Sequence, residues 1–393
     1  MRIAISGAGV AGPALAFWLQ RTGHELTLIE CAPRFRSGGY VIDFWGVGYA
    51  VAERMGLLPQ IRAAGYSVQE VRFVDARGRR TGGFGVGVFR RMLGDRFISL
   101  PRGDLAHEIF HAIEGRVETL FGDSIAHMEE RSDRVRLTIG TEERDFDLVI
   151  GADGLHSNVR ALAFGPEAQF ERRLGYYVAA FDVIGYRPRD ELVYISHGLP
   201  GRQLSRFALR GDRTLILFVF AAEHLRGAEP RTLAERKAAI HQVFDDADWE
   251  WPAIARALDA ADDVYFDSVS QIVMDRWSRG RVCLLGDAAG CVSLLAGEGT
   301  GLAVTAAYVL AGELHAAQGD HRIAFMEYEH RLRALIEKKQ KAARNLASSF
   351  APRTAFGLWF RDQMTRLMGL PFVAEALIGA DIRDDFDLPD YGI

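Results

Sequence analysis

The chain has 393 residues, 49% of them apolar and 25% charged, with a net charge of −5. That balance predicts a globular protein of roughly two to three domains at about 150 residues each, with a sizeable core, and the charge excludes a basic footprint for nucleic acid. Cys31, Cys283 and Cys291 have neither metal spacing nor a disulfide framework. No apolar run approaches the ~20 residues that span a bilayer, and the N-terminus lacks a signal-peptide pattern, so the expectation is a soluble, cytoplasmic protein without a membrane partner.

In chain order, residues 2–6, RIAIS, predict a short buried strand. GAGVAG follows, with Gly7, Gly9 and Gly12 in G-x-G-x-x-G spacing. Leu15, Trp18 and Leu19 then recur at helical spacing up to a stop at Gly23. Pro13 falls in the first helical turn, where its missing N–H is harmless. A second strand, LTLIE, ends at Glu30. Strand, glycine loop, helix and acid in this register make a dinucleotide fingerprint. Gly7 serves the tight turn, Gly9 the close approach of a pyrophosphate, and Gly12 the helix–strand packing, while the helix N-terminus offers N–H groups to phosphate. Gly7, Gly9, Ala11 and Gly12 are thus candidate cofactor contacts, with Glu30 the acceptor for ribose hydroxyls. The fingerprint alone does not separate NAD from FAD.

Further on, EVRFVD (70–75) and GFGVGVF (83–89) read as strands. HEIFH, from His107 to His111, matches the H-E-x-x-H zinc pattern, but Leu105, Ile109 and Ile113 define the apolar stripe and the histidines lie off it, so no metal is expected. FDLVIGA reads as a buried strand, Asp153–Gly154 as a turn, and SNVR as a helix start with Ser157 its cap. Runs 176–185, 191–196, 203–209 and 214–221 predict a mostly antiparallel sheet, with RGDR (210–213) a hairpin turn. Tyr177, Phe181, Phe207, Phe218 and Phe220 alternate along it, and His197 and Arg206 are its polar candidates for touching a substrate. RVCLLGDAAG repeats the strand-then-glycine theme at Gly286 and Asp287 before GEGTG, and a long charged amphipathic helix follows Gly319. AFGLWFRDQMTRLMGLPFVAEALIGA reads as two further segments broken at Pro371.

Three ordered motifs, GAGVAG with Glu30, GADGLHSNVR and LLGDAAGCVSLLAGEGTG, resemble the single-component FAD-dependent aromatic hydroxylases of the p-hydroxybenzoate hydroxylase fold. SGGYVIDFWG, FDSVSQIVMDRWSRGRV and AAYVLAGEL are similar to the branch holding tetracycline-inactivating and polyketide-tailoring monooxygenases. The resemblance covers roughly residues 1–340. It implies an α/β fold: a Rossmann-like FAD-binding domain (1–69, 98–175 and 267–330), an interleaved, mostly antiparallel β-sheet substrate domain (70–97 and 176–266), and a C-terminal helical segment (331–393).

The resemblance further implies that Gly286 and Asp287 meet the ribityl chain of FAD. Gly297, Gly299, Thr300 and Gly301 then start a helix whose N–H groups face the pyrimidine end of the isoalloxazine, where reduced flavin carries negative charge. It assigns flavin contacts to Asp43, in GGYVID, and to Arg102, in PRGDL. It gives Asp153 and Arg160 parts in FAD and NAD(P)H binding, with a plain turn as the alternative for Asp153. Arg34 or Arg36 is implied near the nicotinamide, with a solvated surface arginine as the alternative for either. The implied reaction uses NAD(P)H and O₂ to hydroxylate a small aromatic or polycyclic substrate through a flavin C4a-hydroperoxide, with no catalytic side chain assigned, by a monomer or homodimer. A flavin-dependent reductase and a flavoprotein that only sequesters an aromatic compound are the rival readings.

The chain also departs from the family pattern. Gly290 follows GDAA where His or Tyr is frequent, Cys31 replaces a common arginine, and Val292 and Leu294 stand where prolines border the flavin. Lacking prolines, that loop is expected to be looser and to admit water, leaking H₂O₂ during turnover.

Overall fold

In the computed structural model, residues 1–35, 40–94, 96–368, 373 and 386–393 are described. The first strand, Arg2–Ser6, carries Ile3, Ala4 and Ile5 with no exposed surface, because it lies between Leu148–Gly151 and Glu25–Glu30 in a six-stranded sheet. A strand covered on both faces needs an unbroken apolar run, and RIAIS, LTLIE and FDLVIG supply such runs. Val282–Leu284 joins the other side in parallel, ahead of the GD turn. The carboxyl ends of these strands therefore deliver Gly7, Glu30, Asp153 and Gly286 to one edge, where open α/β sheets bind ligands.

The second sheet has seven strands in the order Tyr265–Ile272, Glu171–Ile184, Arg213–Ala221, Arg202–Ala208, Val193–Leu199, Glu70–Val74 and Arg80–Gly85. Its pairs are antiparallel except Val193–Leu199 with Glu70–Val74. The domain division expected from the sequence cuts through Glu171–Ile184 and Tyr265–Ile272, which straddle its limits. The run 83–89 is only partly strand: it leaves the sheet at Gly85, and Gly87–Leu93 is helical. Val86 and Phe89, three apart, both pack into the cluster under this sheet, so one short apolar run satisfies two periods.

The alternating aromatics of the sheet divide between its two faces, with Phe207 packed on the inner one beside Ala180 and Leu215. Tyr177, Phe181, Phe218 and Phe220 pack outward against helices Leu233–Phe244 and Trp251–Ala260 and are core. The opposite face presents Tyr176, Val178 and Val219, which pack with Leu294 and Leu295 of the GD-motif loop. The long charged amphipathic helix expected after Gly319 is His321–Phe350, and it packs against that loop. Helix Ala355–Leu367 follows, and the segment expected beyond Pro371 lies outside the described residues apart from Val373.

Candidate functional site

The glycine loop separates packing glycines from an open one. A Cβ on Gly7, at φ +106°, would meet the Ala152 carbonyl oxygen at 2.5 Å, and one on Gly12 would meet the Gly7 carbonyl at 2.0 Å. A Cβ on Gly9 would meet nothing closer than the Arg102 guanidinium at 3.9 Å. Gly7 and Gly12 are thus required by the protein itself, whereas Gly9 leaves room for something else. The helix behind it, Ala11–Arg21, has Val10 at its N-cap and no side-chain cap. Glu30 accepts hydrogen bonds from the Ala8 and Ala32 N–H groups, both at 2.8 Å, so it also fixes the shape of the loop.

Arg102, Asp287 and Asp43 continue the wall. Asp43 and Arg102 keep contact with water although protein surrounds them, the condition of side chains lining a cavity rather than an outer surface. Burial pushes the Asp287 carboxyl up, with Arg102 opposing it, and pushes Asp43 up against a 2.5 Å hydrogen bond from the Ser99 hydroxyl. Gly286, at φ +62°, starts the short helix Asp287–Gly290. A Cβ on Gly299 would meet Asp287 Oδ1 at 3.5 Å, and Gly286, Asp287 and Gly299 line one pocket. Gly301 lines an adjoining pocket with Asp43, Gly48, Glu298 and Lys339. Gly297 takes the left-handed conformation at φ +69°. Helix Gly299–Ala316 then begins with Glu298 at its N-cap, again without a side-chain cap, and with Thr300 buried in its first turn.

Other candidates land elsewhere. The Asp153 carboxylate accepts from the Ser157 hydroxyl at 2.5 Å and the Val159 N–H at 3.0 Å, so it orders the turn and the start of helix Asn158–Ala163. That turn abuts Gly7. Arg160 is fully buried and donates to the Ala288 and Leu155 carbonyls and to Glu167, which makes it an internal tie between the second and third motifs and not a ligand contact. Arg34 is exposed, and Arg36 lies outside the described residues. His197 Nδ1 donates to the Val74 carbonyl at 3.0 Å, and Arg206 is paired with Asp190 and Glu250, on the side of the sheet occupied by Trp249. Neither lies with the GD loop. His107 and His111 are exposed, and the described residues hold no group of three side chains able to bind a metal.

The loop lacking prolines is tied by side-chain amides. Gln271 Nε2 donates to the Val292 carbonyl at 2.8 Å and Gln340 Nε2 to the Cys291 carbonyl at 3.1 Å, both from fully enclosed positions. Sequence reasoning also missed Tyr40 and Tyr265, whose rings lie 6.3 Å apart beside Arg102. Burial raises both phenols, Tyr40 to about 12. His156 bridges Glu167 at 2.9 Å and Asp267 at 3.1 Å, and the Asp267 hydrogen bond lifts its pKa to about 9. Its place in GADGLHSNVR was visible in the sequence, but its distant partner was not.

The family described as FAD binding domain matches residues 109–338. A flavin-dependent monooxygenase of Legionella longbeachae is 32% identical over 369 residues, covering 89% of this chain and 90% of its own. The chain belongs to the FAD-dependent monooxygenase family. An uncharacterised Mycobacterium tuberculosis protein is 38% identical over 348 residues, 86% of this chain and 91% of its own. Among solved structures, the tetracycline destructase Tet(51) superposes with a TM-score of 0.82 at 29% identity, over 99% of this chain and 98% of that one. As a member of this monooxygenase family the protein is an oxidoreductase with FAD as its cofactor. The cavity fits that group: the backbone is open at Gly9, two helix N-termini free of side-chain caps suit anionic groups, and the enclosed Asp287 suits hydroxyls.

Proposed function

We propose that the protein uses NAD(P)H and O₂ to hydroxylate a small aromatic or polycyclic substrate held between the GD loop and the seven-stranded sheet. The observation that carries this reading is the continuous wall from Gly9 through Arg102 and Asp287 to Gly299 and Gly301, roofed by the apolar face of that sheet. Likeness to a tetracycline destructase supports a polycyclic substrate class.

In this reading Gly7, Gly9, Ala11 and Gly12 bring backbone and helix N-terminus to the pyrophosphate, and Glu30 takes the ribose hydroxyls with its remaining lone pairs. Gly286 and Asp287 hold the ribityl chain. Asp43 and Arg102 contact the flavin from the opposite wall, and Asp153 acts indirectly by setting its turn against Gly7. Gly297, Gly299, Thr300 and Gly301 direct N–H groups to the pyrimidine end, where negative charge accumulates on reduction. Bound FAD supplies hydride acceptance from NAD(P)H and the activation of O₂. The chain's own task is to orient the ring and keep water from it. Tyr176, Val178, Val219, Leu294 and Leu295 form the apolar seal for the second task.

The test is a panel of aromatic and polycyclic compounds screened for faster NADH or NADPH oxidation, with product mass measured under ¹⁸O₂. One labelled oxygen in the product is the expected result. Accelerated oxidation of NAD(P)H with unlabelled product would favour a reductase, and no acceleration by any compound would favour sequestration.

A further inference from the structure

The long helix His321–Phe350 brings a lysine into the pocket lined by Asp43 and Gly301. Lys339 is 3% exposed, and its Nζ donates to Glu298 Oε1 at 2.8 Å. Glu298 is the N-cap of helix Gly299–Ala316 and lines the same pocket as Lys339, Asp43 and Gly301. Replacing a buried ion pair with apolar side chains is often neutral or stabilising, so burial of this pair is not explained by stability. Its location supplies another explanation. A helix N-terminus carries about half a positive charge, which favours an anion in front of it. A carboxylate at the N-cap cancels that field, and the ammonium of Lys339 restores it. The next residue, Gln340, holds the other end of the same loop through its bonds to the Ile272 and Cys291 carbonyls at 2.8 and 3.1 Å.

We propose that Lys339 is a positioning residue: it neutralises Glu298 at the N-terminus of helix Gly299–Ala316 and so sets the charge met by the pyrimidine end of the flavin. The proposal rests on the cofactor placement given above. Charge beside the flavin ring is one of the terms by which a protein tunes its reduction. Removing the ammonium leaves a carboxylate facing the charge gained on reduction and disfavours the reduced form. Removing the carboxylate favours it.

The experiment measures the flavin midpoint potential of the purified holoprotein by dye equilibration, together with the FAD dissociation constant. Lys339→Met should lower the potential and weaken FAD binding by about tenfold, the scale of one lost charge-assisted interaction. Glu298→Gln should raise the potential, Lys339→Arg should match the wild type, and the double variant Lys339→Met/Glu298→Gln should return close to it. If the lysine variant does not fold, Glu298→Gln and the double variant carry the same comparison of signs. Shifts in one direction for both single variants, or an unmoved potential with flavin bound, would overturn the proposal. Neither measurement uses a substrate or NAD(P)H. A failed substrate screen would therefore count against the proposed reaction and leave these results standing.

Discussion

Two regions of the protein enclose charge, and they treat it in opposite ways. On the outer side of the seven-stranded sheet, the buried guanidinium of Arg206 is bound by Asp190 at 2.7 Å and by Glu250 at 2.8 Å, and Tyr186 adds a hydroxyl to Glu250 at 2.7 Å. On the cavity side, Arg102 makes no ion pair among the described residues, and Asp43 receives one hydroxyl. Enclosed charges are costly unless paired and hydrogen-bonded. The outer cluster is complete in itself, whereas the proposed cofactor placement gives the cavity groups their partners. Satisfaction of the polar groups, more than their number or burial, therefore separates the structural network from the binding site.

The sharpest way to break this comparison is to remove the central cation of each region. Arg206→Ala strands two carboxylates and should destabilise the protein by about 3–5 kcal/mol in urea titrations, while any protein that remains folded keeps its FAD affinity. A small stability change would mean that solvent already satisfies those carboxylates. Glu30→Ala should weaken FAD binding by roughly ten- to hundredfold through the lost charged hydrogen bonds, and it also releases the Ala8 and Ala32 N–H groups. Unchanged affinity by flavin fluorescence would mean that the nucleotide lies elsewhere. Arg102→Ala should cost roughly tenfold in FAD affinity and leave the apoprotein's stability within about 0.5 kcal/mol. A large loss of apoprotein stability would make Arg102 a structural residue after all.

The smallest effect belongs to His156, at the seam between the two sheets. Its pKa is raised to about 9, first by the Asp267 hydrogen bond. A raised pKa means that its contribution is fully present below the unfolded value near 6.5 and is lost as pH climbs through about 9. The side chain is half exposed, so screening keeps the contribution below about 1 kcal/mol. Urea midpoints should fall slightly over that window in the wild type, and the slope should vanish in His156→Gln. An identical slope in the variant would assign the titration to another group.

The strands of the nucleotide-binding sheet were legible because each is a flat apolar run ending in a glycine or an acid at a defined offset. GAGVAG, GADG and GDAAG were legible for the same reason: backbone requirements leave glycine at fixed positions. Pairings between distant side chains left no such trace. Lys339 reads as one of several charges on an amphipathic helix, and only the fold sets it against Glu298. The missing prolines predicted a loose loop because local sequence cannot display Gln271 and Gln340, whose amides bind the Val292 and Cys291 carbonyls. Aromatic alternation located the sheet but not its faces, because Tyr177, Phe218 and Phe220 follow the same period whether they look toward a ligand or toward covering helices.

The tie between Glu298 and Lys339 also bears on the order in which the protein can be made. The glycine loop is synthesised well before the opposite wall and its brace, which come from residues 286–340. A nascent chain therefore carries that loop before its floor exists, with the central strand Arg2–Ser6 waiting for Leu148–Gly151 and then for Val282–Leu284.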